Sequence, residues 1–159
     1  MKKRLISAAL LVLAVCAAGC SEQHAPALPA LQANRAETSV SGISSGAYMA
    51  GLRGIVLMQT SGFTTLANVL ASLTVPCQIP IVMMISERGT IGDHQLGQAI
   101  VCRTMRPILE TLGIEHFAIQ RLDDVEFVTD RMVKQAFTTQ AGAALIMSPL
   151  LTSRGKKSY

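Results

Sequence analysis

Ile55-Val56-Leu57-Met58-Gln59-Thr60-Ser61-Gly62-Phe63 is the stretch whose reading decides the fold. Four consecutive apolar residues suit a strand buried on both faces, as in a parallel sheet covered by helices. The polar turn that follows closes on a glycine and leads into helical spacing over Thr64 to Ser72, with Leu66, Leu70 and Leu73 on one side. A strand that ends in such a turn points backbone N–H groups and small hydroxyls over its C-terminal edge.

The same alternation continues downstream. Ile79 to Ile85 is a second buried strand, with Pro80 near its start, where a missing N–H costs little. Gln95 to Leu112 is helical, with Val101, Met105, Ile108, Leu109 and Leu112 on one stripe. Pro107 is expected to break or kink it, and Gly113 sits where a left-handed C-terminal cap is wanted. Phe117 to Ile119 is a short third strand. Asp123 or Asp124 can cap a helix to about Gln140, buried through Val125, Val128, Met132 and Ala136. Ala143 to Met147 gives a fourth strand. Strands alternating with helices predict an α/β fold, a truncated parallel Rossmann-like sheet whose first edge is left open unless earlier residues or a partner cover it.

Upstream, Lys2, Lys3 and Arg4 precede an apolar run from Leu5 to Ala14, too short to span a bilayer core of ~30 Å as a helix. The segment 1–20 ends on Ala17-Ala18-Gly19-Cys20, which resembles a bacterial lipobox and implies export, with Cys20 as the lipidated residue and a membrane contact only through that anchor. Residues 21–36 carry Pro26 and Pro29 without periodicity and are expected to form a linker. Residues 152–159 form a basic tail.

Composition narrows the function classes. The chain has 159 residues, 50% hydrophobic and 15% charged, enough for one packed domain. Aromatic residues are 4% with no Trp, which disfavours a sugar groove or a base-stacking platform. The net charge of +4 arises from clusters at the two ends, so no basic stripe for nucleic acid is expected. Cys77 and Cys102 match no zinc or redox spacing, and buried free thiols are expected.

Two resemblances carry chemistry. Gly42-Ile43-Ser44-Ser45-Gly46 fits the G-x-S-x-G pattern of a nucleophile elbow, and Thr38 to Ser41 is a plausible strand before it. Residues 28–50 resemble the start of secreted poly(3-hydroxybutyrate) depolymerases, which implies Ser44 as the nucleophile of a serine esterase. Asp93, His94 and His116 stand in no matching context for the rest of a triad.

The longer resemblance covers about residues 47–151. Leu57 to Phe63, Asn68, Leu70 to Leu73, Ile79-Pro80, Ser86-Glu87-Arg88-Gly89, Gly92, Gln98, Arg106 to Leu109 and Leu112-Gly113-Ile114 follow in order. This run is similar to the pyrimidine-binding domain of sulfopyruvate and phosphonopyruvate decarboxylases, departing at Thr64-Thr65, where that family often has Gly-Asn. The resemblance implies a partial thiamine diphosphate enzyme, with Gln59, Ser61 and Gly62 near the cofactor or the 2-oxoacid and no derivable role for Arg88 or Gln98. It also implies Mg²⁺, an oligomer, and a second subunit or domain that holds the diphosphate through a GDG motif, which is not found here. The family's acid, which polarises a ring nitrogen, would fall near Ser39. A hydroxyl cannot replace a carboxylate in that role, and Glu37 lies two residues farther out. The two resemblances meet at Gly46 to Gly51, which suggests a chimera joined within 37–50 and inactive alone. The alternatives are an exported lipoprotein without catalysis, or a serine esterase (polyhydroxybutyrate depolymerase) fragment.

Overall fold

The computed structural model describes residues 30–93 and 95–153. Residues 1–20 with Cys20, most of the linker, His94 and the basic tail beyond Ser153 lie outside the described residues. A long helix α1 (Ala30–Met49) precedes strand β1 (Ile55–Gln59), helix α2 (Thr60–Val69) with a π-helical turn (Leu70–Thr74), and strand β2 (Val82–Ser86). Helix α3 (Ala99–Thr111), strand β3 (Glu115–Ile119), helix α4 (Val125–Thr139), strand β4 (Ala143–Met147) and a short α5 (Leu150–Ser153) follow.

The sheet is wholly parallel in the order β1-β2-β4-β3, so the expected α/β architecture is present. The connection from β3 back to β4 reverses the direction in which strands are added. Helices therefore cover both faces. Phe63, Leu66 and Leu70 from α2 and its π turn, with Met105 and Leu109 from α3, pack on Val56, Met83, Ile85, Ala144 and Ile146. Met132 and Ala136 from α4 pack on Val82, Met84, Ala143 and Leu145 on the other face.

Two helices serve one face and α4 serves the other, which corrects the expectation for β1. Its run is apolar, but only Val56 is buried, and Ile55 and Leu57 face outward beyond the reach of α4. The in-register row Leu57, Met84, Leu145, Phe117 shows the cause. The inner pair is 6% and 0% exposed and the outer pair 43% and 49%, so one helix covers the two central strands and leaves both edges bare.

Residues 30–36, expected as linker, and Thr38 to Ser41, expected as a strand, are helical. The stretch from Ala30 contains neither proline nor a run of β-branched residues, and its buried Ser41 and Ser45, one turn apart, face a neighbouring element. Pro107 does not break α3. Pro107 and Arg103 are both exposed, so the carbonyl that loses its N–H partner can be hydrated. Asp124 precedes α4 but makes no side-chain cap, because a 3₁₀ turn (Leu122–Asp124) leads into the helix with Asp124 already helical. Gly113 does adopt the left-handed conformation after α3. Cys77 is free and exposed, against the expectation of burial, and Cys102 is free and buried.

Candidate functional site

Ligand crevices in open parallel sheets form outside the strands' C-terminal ends, where neighbouring strands send their connections to opposite faces. Here that happens between β2, which leads to α3, and β4, which leads to α5, whose Leu151 joins the second core. The seam is closed by the Glu87 N–H donating to the Met147 carbonyl at 2.9 Å. The end of β1 lies on one side of this edge and the loop after β2 forms its wall.

Gln59 ends β1 in extended geometry and precedes the first residue of α2, so the polar turn is itself the first helical turn. That is why α2 begins at Thr60 rather than at Thr64. Gln59 is exposed, Ser61 half-buried and Gly62 buried. The three residues expected at the cofactor therefore cluster at a helix N-terminus on the sheet's C-terminal edge, where the first N–H groups have no intrahelical acceptor.

The facing wall is built around two carboxylates. Asp93 accepts from Arg88 Nε at 2.7 Å, from the Gly89 N–H at 2.9 Å and from the Gln95 N–H at 3.4 Å. Burial alone would raise the Asp93 carboxyl. The bonds from Arg88 and Gly89, the Arg88 charge and the Gln95 N–H outweigh it and hold its pKa below the ordinary carboxylate value. Gly89 has φ +80°, and a Cβ there would sit 2.5 Å from the backbone of Gln98, so the loop can fold back on α3 only with glycine at this position.

Glu87, 7% exposed, accepts from Arg106 Nη2 at 2.8 Å, and the Cys102 thiol lies 3.8 Å from the same oxygen. Burial, and then the Glu87 charge, push that thiol's pKa up against the opposing Arg106 charge. Thr60, a residue with no expected role, is completely buried and bridges the two walls. Its hydroxyl donates to the Ser86 carbonyl and accepts from the Arg88 N–H, each at 3.1 Å. The available signal was its place directly after an apolar strand, where a β-branched hydroxyl residue can serve both packing and hydrogen bonding.

Ser44 lies within α1, so the expected elbow does not form. A nucleophile elbow needs a strand-to-helix turn, whereas Gly42 and Gly46 here are ordinary helical positions with open space where a Cβ would go. His116 bonds the Ile114 carbonyl and lies on β3, at the other edge of the sheet. Glu37 and Ser39 are also on α1.

No family model matches the chain. It is similar to sulfopyruvate decarboxylase subunit alpha of Methanothermobacter thermautotrophicus, 44% identical over 73 residues, which are 46% of this chain and 44% of that protein. The corresponding subunit of Methanococcus maripaludis is 32% identical over 83 residues, 52% of this chain and 50% of the relative. A sulfopyruvate decarboxylase of Methanosarcina acetivorans is 28% identical over 121 residues, 76% of this chain and 31% of that protein. The chain thus spans about half the length of the subunit-alpha relatives it matches. A match of 121 residues in a chain of 159 necessarily contains residues 39–121. Similarity to one relative therefore runs through Gly42 to Gly51, and with α1 an unbroken helix the depolymerase-like junction is not supported. The described residues are thus similar, over part of their length, to proteins named as sulfopyruvate decarboxylase subunit alpha.

Proposed function

We propose that this chain forms the pyrimidine-binding half of a thiamine diphosphate-dependent 2-oxoacid decarboxylase of the sulfopyruvate type, inactive until a second subunit supplies the diphosphate and Mg²⁺ site. The observation that carries this reading is the placement of Gln59, Ser61 and Gly62 at the N-terminus of α2, across from the Ser86–Gly89 segment. These residues offer amide, hydroxyl and backbone N–H groups. Neutral donors and acceptors suit a heteroaromatic ring bearing an amino group. A magnesium diphosphate instead calls for oxygen ligands and fixed charge, and among the described residues no three potential metal ligands converge. The neutral groups of the Gln59–Gly62 turn are what support the pyrimidine reading.

When bound, thiamine diphosphate supplies the electron sink for loss of CO₂. The chain's own contribution is to orient the ring and to hold a proton at a ring nitrogen. Glu37 is our candidate for the proton. A turn of five residues joins α1 to the start of β1, and Gly54 lies beside Ser44. The helix before Ser44 then runs back in the direction in which β1 advances. Seven residues at 1.5 Å carry Glu37 about 10 Å from Ser44 toward the C-terminal edge.

The test is decarboxylation of sulfopyruvate by the chain co-expressed with a GDG-bearing subunit. Glu37→Gln is expected to lower kcat by roughly 10²–10⁴-fold, the usual size of an acid–base contribution. Wild-type kcat in that variant would remove Glu37 from the mechanism. Export with lipid attachment at Cys20 is a separate proposal, supported by the basic start, the apolar run and the small residues before Cys20.

A further inference from the structure

One buried hydroxyl links the two walls of the candidate site. The ladder between β1 and β2 ends at the pair Gln59 and Ser86. If it continued, backbone groups of β1 would satisfy the Ser86 carbonyl and the Arg88 N–H. Instead β1 turns into α2, and the Thr60 hydroxyl takes both partners at 3.1 Å. It is completely buried, so water cannot substitute readily.

Beyond this point the wall has little freedom. Asp93 holds Arg88 and the Gly89 N–H, and Gly89 lies against the backbone at the start of α3. Loss of the Thr60 hydroxyl would release the tie between this loop and the Gln59–Gly62 turn, while the Glu87 contact to Met147 and the Asp93 bonds stay in place. We infer that Thr60 is a positioning residue, whose hydroxyl ties the Ser86–Gly89 segment to the start of α2 and so sets how that wall stands beside the Gln59–Gly62 turn proposed to meet the pyrimidine ring. This role rests on the pyrimidine-binding reading above.

The experiment uses the chain assembled with its diphosphate-binding subunit and compares Thr60→Val, which keeps the shape and deletes the hydroxyl, with Thr60→Ser, which keeps the hydroxyl. Hydrogen exchange at the Arg88 and Gly89 amides and the Kd for thiamine diphosphate are read for each. The valine variant is expected to exchange about tenfold faster at Arg88 and to bind the cofactor about tenfold more weakly, the scale of one hydrogen bond. The serine variant should stay within about threefold of wild type in both. Unchanged exchange or unchanged affinity in the valine variant, or equal losses in both variants, would overturn the assignment. A wild-type assembly that binds no thiamine diphosphate would instead refute the pyrimidine-binding reading itself, and this role with it.

Discussion

The central strands and the first edge strand are equally apolar in sequence, yet they live in different surroundings. In β2 and β4, four of five residues are buried. In β1, Val56 alone is. The difference lies in what covers them, since α4 reaches only the middle of its face. Residues 38–86 also carry a single charged side chain, Arg53, which stacks on the ring of Phe137 at 4.8 Å. The charge-poor part of the chain is the part around the bare strand, whereas the ion pairs of the described residues lie from Glu87 onward. Burial follows coverage, not hydrophobicity, and a bare apolar edge beside a candidate site suits a domain that works in an assembly.

That contrast can be broken by truncation. Leu145→Ala in β4 removes a completely buried side chain and should cost about 2–5 kcal/mol in urea unfolding. The same change at its in-register neighbour on the edge, Leu57→Ala, should cost about 1 kcal/mol or less. Equal losses would mean that Leu57 is covered in solution. Between these lies Gly89→Ala, which combines a positive φ with a contact of 2.5 Å to backbone. It should cost about 1–3 kcal/mol and loosen the loop first, visible as faster exchange in residues 88–95.

The smallest effect concerns pH. The Asp93 pKa is lowered in the folded chain, so its contribution is fully present above the unfolded pKa and is lost as pH falls through the folded one. Replacing Asp93 with Asn should therefore lower stability at neutral pH and flatten its decline in acid, the two curves converging at low pH. Parallel curves would show that Asp93 contributes no such linkage. Arg88 and Asp93 are only partly shielded from solvent, at 18% and 15% side-chain exposure, so the difference should be modest.

Much of the fold was legible because each element carried its own signal. Ala143 to Met147 needed only its continuous apolar run, and the α4 stripe only its spacing. The candidate turn was legible too, since Gln59 ends an apolar strand and Ser61 and Gly62 follow it directly. Residues 30–50 were not. Serines and glycines there imitate a strand and elbow locally, and their helical state is set by packing against α2, with Ser41 and Ser45 buried. The exposure of β1 was hidden as well, because no local pattern reports which helices are present on a face. Thr60 was missed since its two partners lie 26 and 28 residues away.

The central claim is that this chain holds half of a cofactor site. Calorimetric titration of thiamine diphosphate with Mg²⁺, into the isolated chain and into the chain mixed with a GDG-bearing subunit, tests it most directly. The expected result is saturable binding by the mixture, weakened by Thr60→Val, and none by the chain alone. Saturable binding by the isolated chain, or no binding by a mixture that demonstrably co-purifies, would contradict it.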